Sequence, residues 1–388
     1  MPAAEPVLIC ALSGRALAEA ARAAGFAPIV LDAFADLDTR AAATSWRRIP
    51  VDRRWRLRAR PLLAAAWALA PPPIPLVWGS GFERSPALLA ALQAGREPWG
   101  NDAATVRAIK DPLGFAATVR RLGLAHPETR TTAPRRALGW LCKRAGGAGG
   151  GHVRPAGRRA RGLGGYWQRA VPGSPIATLV CANRRDARVL AFGRQLTVPA
   201  RGRRFRFGGT LTPADLSPRA QADLAQAARL LAAHYRLAGL LSVDALVTED
   251  TVTVLEVNPR PGGSLDAYRA ALDLDLFAAH VAAGRDGALP PAAGSPRHAG
   301  TLVVFSDRAV EVPTELAWPA WVSDRPPAGT RILAGGPICT VRAQGSTATE
   351  VLDLVATRSR RVAAALALRT DGRRRAGGCA LSAGAVAV

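Results

Sequence analysis

The sequence predicts a mixed α/β and α+β protein: a β-α-β domain at the N-terminus, an α+β body behind it, and a small α+β piece towards the C-terminus. Three patterns carry that expectation. Residues 7–12 are an apolar run closed by Ser13-Gly14, an alanine-rich helical pattern follows from Arg15 to Ala24, and Pro28 to Asp32 is strand-like again, so the chain opens as a parallel unit. Two further apolar runs, 240–247 and 251–255, are joined by Thr248-Glu249-Asp250 and predict an antiparallel hairpin. Between these regions a short strand, 140–144, runs straight into the glycine-rich stretch 145–151. With 388 residues and 49% apolar composition, the chain can build two or three domains and a substantial core.

The formal net charge of +23 would ordinarily point to nucleic acid or another polyanion. Its make-up argues for another cause. Of 52 basic residues only Lys110 and Lys143 are lysine, and alanine, glycine and proline abound, which looks like a bias exchanging surface lysine for arginine. A lysine that persists under such a bias belongs where a compact point charge on a flexible stem is needed, as against a phosphate. Five scattered cysteines without a C-x-x-C pair, and five histidines without ligand spacing, predict neither a disulfide framework nor a zinc site and favour a reduced, cytoplasmic protein. The N-terminus lacks a basic n-region and cleavage site, and the apolar stretch 61–78 contains five prolines, so neither a signal peptide nor a membrane helix is expected.

Taken in order, residues 62–70 predict a helix, 76–83 a strand and glycine turn, and 85–94 another helix. The Ser13-Gly14 turn lacks the G-x-G-x-x-G spacing of dinucleotide binding. Gly100-Asn101-Asp102 opens a helical stretch in which Lys110 precedes Asp111-Pro112, and residues 114–122 lead to a turn at Gly123. After the glycine run, 153–161 is a basic segment read as a solvated loop, and 165–173 leads into a strand at 176–182. Strand 189–193, a hairpin at 201–209, a serine-capped helix from 217 to 236 and a helical stretch from 265 to 284 follow. Short β-like runs at 301–305, 330–333 and 338–342 and a helix from 348 to 368 complete the pattern before an unstructured tail.

Chemistry concentrates at two places. Glycine at the density of residues 145–151 exposes successive amides and folds over phosphates without side-chain collisions, with Lys143 at its base. A flexible linker is also glycine-rich, but it explains neither the preceding strand nor the lysine. No Lys-Ser/Thr follows, so this is not a Walker A loop; His152, at its end, either swings onto phosphates or faces solvent. At the second place, Glu256 and Asn258 share one face of a strand at period two, Pro259 and Pro261 end the ladder around Arg260, and Gly262-Gly263 free backbone amides for an anion. Pairing through the turn at 248–250 brings Asp244 near them, giving hard oxygen ligands suited to magnesium. Singly, each feature is ordinary: a hairpin with an acidic residue, a lysine on a helix surface.

The string from Glu256 to Ser264, with Asp244 upstream, resembles the metal-binding signature of the ATP-grasp ligases, and Lys110, Lys143 and the glycine run precede it in the order that family shows. Within the superfamily the chain is similar to the ATP-dependent carboligases related to biotin carboxylase, a group that includes the tyramine–glutamate ligase of methanofuran biosynthesis. The resemblance implies a pre-ATP-grasp domain over 1–100, a lobe with a glycine flap over 101–172, a lobe with the metal site over 173–295, a small α+β region over 296–370 and a disordered tail over 371–388. It implies ATP and two Mg2+ ions, for which Mn2+ can substitute, held by Asp244, Glu256 and Asn258. Lys110, Lys143, Gly146, Gly147, Gly149 and Gly150 would meet the phosphates, Gln168 and Val171 would stand at the inter-lobe hinge beside the adenine, and Arg260 would stabilise the reacting acyl phosphate. We expect Gly262, Gly263 and Ser264 to grip the substrate carboxylate.

The implied reaction is amide formation between a small-molecule carboxylate and an amine through an acyl phosphate, with glutamate plus an amine of a methanofuran-like one-carbon pathway as the pair the group suggests. Neither membrane nor nucleic-acid partners are expected; the oligomeric state stays open, a homodimer being one form. A carboxylase or phosphotransferase on the same fold is the alternative within the class. A basic nucleic-acid-binding protein is the alternative outside it, and predicts salt-sensitive retention of DNA or RNA without Mg-ATP binding.

Overall fold

The structure is a computed structural model that describes residues 3–157 and 165–367. Residues 158–161 of the basic segment, Cys379 and the tail over 371–388 lie outside the described residues. The chain opens with β1 (Pro6–Cys10), α1 (Arg15–Ala23), β2 (Ala27–Asp32), α2 (Leu37–Ala42), β3 (Ser45–Arg48), α3 (Ala59–Leu69) and β4 (Leu76–Trp78), a parallel sheet in the order β3-β2-β1-β4. Alternation along β1 splits its side chains: Val7 and Ile9 face α1, whereas Leu8 and Cys10 join Leu62, Ala65 and Ala66 of α3. β3 and α2 escape a reading of apolar pattern because β3, Ser-Trp-Arg-Arg, is an exposed edge with no buried side chain.

Next come α4 (Pro86–Gln93), α5 (Ala103–Ile109) and α6 (Pro112–Arg121). Asp102 caps α5 through Thr105 N, and Asp111 caps α6 through Leu113 N and Gly114 N with Pro112 at its first position. One helical stretch is thereby cut in two, with Lys110 at the joint. A small antiparallel sheet follows, built of β5 (Thr129–Arg130), β6 (Trp140–Lys143), β7 (Arg154–Pro155) and β8 (Tyr166–Arg169) in the order β5-β8-β6-β7. The glycine run is the β6–β7 connection.

The body is one eight-stranded sheet. Its strands are β9 (Ser174–Asn183), β10 (Ala187–Thr197), β11 (Phe207–Thr212), β12 (Ala238–Val247), β13 (Val252–Asn258), β14 (His298–Phe305), β16 (Val322–Ser323) and β18 (Pro337–Gly345), ordered β13-β12-β9-β10-β11-β14-β18-β16; β15 (Val310–Glu311) and β17 (Arg331–Ile332) pair separately. On one face α7 (Pro218–Tyr235) buries Ala227, Ala228 and Leu231 against Val180, Val243, Val254 and Val257. On the other, α8 (Leu265–Ala271) and α9 (Leu276–Val281) pack Leu265, Tyr268 and Phe277 with Leu179, Cys181 and Leu240, in a core shared with Val7 and Ile9 of the N-terminal sheet. That shared core fixes the N-terminal domain against the face carrying the site. Among the described residues no helix is long and apolar enough to cross a membrane.

One expectation needs correction. The stretch 265–284 is not one helix: it breaks after Ala271, and Asp275 takes the amides of Phe277 and Ala278 to start α9 afresh, with a π-turn over Ala282–Asp286 behind it. The strands of the small C-terminal α+β region are joined to the body. β14 pairs with β11 and β18 with β14, so they extend the large sheet, under α10 (Ala348–Ala367). Gly209 permits that junction, because a β-carbon there would collide with the Thr301 carbonyl.

Candidate active site

The β12–β13 hairpin pairs Asp244 with Glu256 and Ser242 with Asn258, so all four side chains stand on one face. The register slips between Asp244 and Ala245, where Ala245 pairs with Val254 and Leu255 becomes the extra residue. This bulge lets Leu255 and Glu256 both line a cavity, while Val254 and Val257 stay in the core beneath α7. Asp244 accepts from Ser242 Oγ at 3.1 Å and from Asn258 Nδ2 at 3.0 Å. From the α5–α6 joint, Lys110 Nζ donates to Glu256 Oε2 at 3.2 Å and to Asn258 Oδ1 at 3.0 Å. Lys110 is therefore no helix-surface lysine; its side chain is 8% exposed.

Burial, and then the neighbouring Glu256, push the Asp244 carboxyl up to about 6. Burial acts on Glu256 in the same sense, but Lys110, Lys143 and His152 outweigh it and hold that carboxyl below its usual range. Among the described residues no three His, Cys, Asp or Glu side chains cluster, so any cation here rests on the two carboxylates together with the Asn258 amide oxygen and the Ser242 hydroxyl. These are all hard oxygens, and they fit Mg2+.

Lys143 ends β6 and donates to Gln168 Oε1 on β8 at 2.6 Å. Gln168, 2% exposed, turns its Nε2 to Thr129 Oγ1 at 3.2 Å, and His126 bonds the Val254 carbonyl through Nδ1 at 2.8 Å. A polar relay thus runs from the small sheet to β13. Gln168 also lines the cavity, with its side chain bonded to Lys143, whereas Val171, expected beside it, does not line the cavity. The cavity walls are Ile109, Phe115, Tyr166 and Leu255, with Lys110, Glu256, His152 and the root of the glycine run. Burial lowers the pKa of Lys143 against the pull of Glu256 and Asp244, and brings His126 down to about 4.

The glycine run is folded shut. Gly146, at φ +64°, lies so close to the Glu83 carbonyl, and Gly150, at φ +66°, so close to the Phe205 carbonyl, that a β-carbon would collide at either place. Phe207 N donates to Gly149 O at 2.9 Å. The flap therefore rests on the N-terminal domain at its root and on the β10–β11 loop at its tip. His152 packs its ring over Gly147 and lines the cavity, with Nδ1 buried and without a partner among the described residues; burial lowers it to about 4.

Arg260 is buried and fixed. Its Nε and Nη2 lie 2.8 and 2.6 Å from Glu83 Oε1, and its Nη1 points to Pro261 O at 3.3 Å beside Gly262. Ser264 stands immediately before α8, and Gly263 faces the Phe207 ring. Glu83, Ser242, Gln195, which bonds Asp244, and His126 join this site without being expected there from the sequence. Ser242 had a signal, being two residues before Asp244 on a strand. Glu83 had a weaker one, following a glycine turn at the C-terminal end of β4, where α/β sheets place ligands. His126 had none.

Around this geometry the comparisons agree on the fold. The family model described as the ATP-grasp domain matches residues 109–264, from the α5–α6 joint to the end of the glycine pair, and the chain carries the ATP-grasp fold. L-amino acid ligase from Bacillus licheniformis superimposes with a TM-score of 0.66 at 15% identity, over 92% of this chain and 97% of that one. N5-carboxyaminoimidazole synthetase from Staphylococcus aureus gives 0.67 at 12% identity, over 92% and 97%. The biotin carboxylase domain of Hydrogenobacter thermophilus 2-oxoglutarate carboxylase, solved with magnesium ADP and bicarbonate, gives 0.70 at 11% identity, over 90% and 88%. No curated protein matches the chain in sequence.

Proposed function

We propose that the chain is an ATP-dependent carboxylate–amine ligase working through an acyl phosphate. The observation that carries this reading is the pairing of Asp244 with Glu256 and of Ser242 with Asn258 on one sheet face, bridged by Lys110 beside a flap-covered cavity. Asp244, Glu256 and Asn258 would hold the magnesium ions, which when bound neutralise phosphate oxygens and align transfer. Lys110 and Lys143 supply fixed positive charge to the phosphates, Lys143 being aimed by Gln168. The amides of Gly146, Gly147, Gly149 and Gly150 cover them, and the closed flap keeps water from the acyl phosphate. Arg260 offers its Nη1 side towards Gly262, Gly263 and Ser264, where the substrate carboxylate would lie, and Glu83 prevents its rotation. The carboxylate attacks the γ-phosphorus and releases ADP; the amine then attacks the acyl carbon and releases phosphate.

The B. licheniformis neighbour is a ligase by name, which supports this reading; the carboxylase and synthetase neighbours support a second one, in which bicarbonate is the carboxylate activated. Measuring ADP release with Mg-ATP, first with glutamate plus tyramine, then with a panel of amino acids and amines, and with bicarbonate alone, separates them. Release that needs both a carboxylate and an amine upholds the ligase. Bicarbonate-dependent release without an amine establishes the carboxylase, and no Mg-ATP binding at all sinks both. Glutamate with tyramine stands first because of the family resemblance; none of the three solved neighbours acts on that pair by name.

A further inference from the structure

At the root of the flap the protein gathers two arginines, Arg84 and Arg144, that no carboxylate ion-pairs among the described residues. Arg84 follows Glu83, and a β-carbon on Gly146 would sit 2.9 Å from its Cγ; Arg144, next to Lys143, lines the cavity. Leu57, packed 3.6 Å from the β-carbon position of Gly81, brings the 52–58 loop alongside, with Arg56 held by Asp52 at 2.7 Å. Other buried arginines of this chain are paired: Arg15 and Arg260 with carboxylates, Arg96 with the carbonyls of Ile74 and Ala66. The guanidinium groups of Arg84 and Arg144, both half-buried residues, have no hydrogen-bond or ion-pair partner among the described residues, although the Arg144 carbonyl accepts from Gly147 N at 3.0 Å. Burial and then the repulsion of Arg144, Arg56 and Arg54 depress the Arg84 pKa, opposed by Asp52. Arginine-rich composition accounts for solvated arginines, but not for two half-buried arginines at the root of one flap, one against Gly146 and one lining the cavity, without an anion.

We propose that Arg84 and Arg144 form a subsite for a second anionic group, phosphate or carboxylate, on the substrate whose carboxylate is activated, so that the enzyme takes a polyanionic acid. The inference rests on the ligase reading and adds the substrate class. Position bears on it: Arg84 is joined to Glu83, which holds Arg260, and its Cγ meets the Gly146 root of the flap, while Arg144 lines the cavity that Lys110 and Glu256 also line. A guanidinium pair recognises phosphate and carboxylate alike, through forked N–H donors.

The test is calorimetric titration of the full chain with inorganic phosphate and with citrate, at fixed ionic strength, with and without saturating Mg-AMPPNP. The wild type should bind one or both saturably, and the stronger of the two names the group. Arg84→Gln should weaken that binding about tenfold, the worth of one charge-assisted hydrogen bond, and AMPPNP binding less than about threefold. No saturable anion binding by the wild type, unchanged binding by Arg84→Gln, or an equal loss of AMPPNP affinity each overturns the subsite. Arg84-dependent anion binding by a wild type that takes no AMPPNP keeps the subsite and overturns the ligase reading instead.

Discussion

Two clusters of buried charge tie the body to the segments that precede it, and they are built differently. Around Arg15 the guanidinium is consumed: Nε and Nη2 meet the Asp324 oxygens at 3.0 and 3.1 Å, and Nη1 meets Asp266 at 2.7 Å and Glu19 at 3.3 Å. The Asp266 side chain is 4% exposed, so nothing further can reach it. Around Lys110 a single ammonium is shared between Glu256 and Asn258, Asp244 is pushed towards its neutral form, and the Glu256 side chain is 39% exposed to the cavity. The first cluster is saturated and does the work of a clasp. The second keeps oxygen ligands in reserve, which is what a site needs and a clasp does not.

The largest effect expected from breaking the comparison falls on the clasp. Arg15→Met strands buried Asp266 without a counter-ion and should destabilise the fold by about 3–5 kcal/mol in urea unfolding. A stable Arg15→Met protein that loses only turnover would move Arg15 into the site and erase the distinction. Glu256→Gln should do the reverse. ADP release should fall by about a hundredfold or more, near 2.7 kcal/mol in barrier, while unfolding shifts by less than about 1 kcal/mol; wild-type-like turnover would remove Glu256 from the metal set. Asn258→Asp should behave similarly.

Lys143→Arg comes next, with about a tenfold or greater loss of Mg-ATP turnover despite the retained charge. Lys143 meets Gln168 Oε1 at 2.6 Å as a point charge on a slim stem, a contact that a planar guanidinium fork does not reproduce. A fully active Lys143→Arg protein would show that the position asks only for a cation, and that the scarcity of lysine carries no information.

These contrasts also mark what could be read from sequence. The Asp244–Glu256 register was legible because alternation and turn length fix a hairpin locally, and the two surviving lysines were legible because composition made them rare. The union of β14 with β11, the Glu83–Arg260 pair and the Arg15 clasp were not. Each joins residues far apart in the chain, and nothing in the local pattern of a buried glutamate or arginine says which distant partner it will meet.

The smallest effect tests the clasp side by pH. Asp36 caps α2, accepting from Thr39 N at 2.8 Å, and is buried near Asp324 and Asp32. Burial first, then the Asp324 charge, raise its pKa to about 8. An unfolded aspartate titrates near about 3.9. Between those values the folded state binds the extra proton, so the stabilisation is complete below about pH 4 and is lost as pH rises towards 8. Asp36→Asn keeps an oxygen for the cap and removes the charge. It should match the wild type near pH 4 and become the more stable of the two as pH rises towards 8, read from urea midpoints across that range. A variant less stable than the wild type at pH 8 would mean that the Asp36 carboxylate is wanted ionised, and that the acidic surroundings of Arg15 hold unspent charge as the Lys110 cluster does.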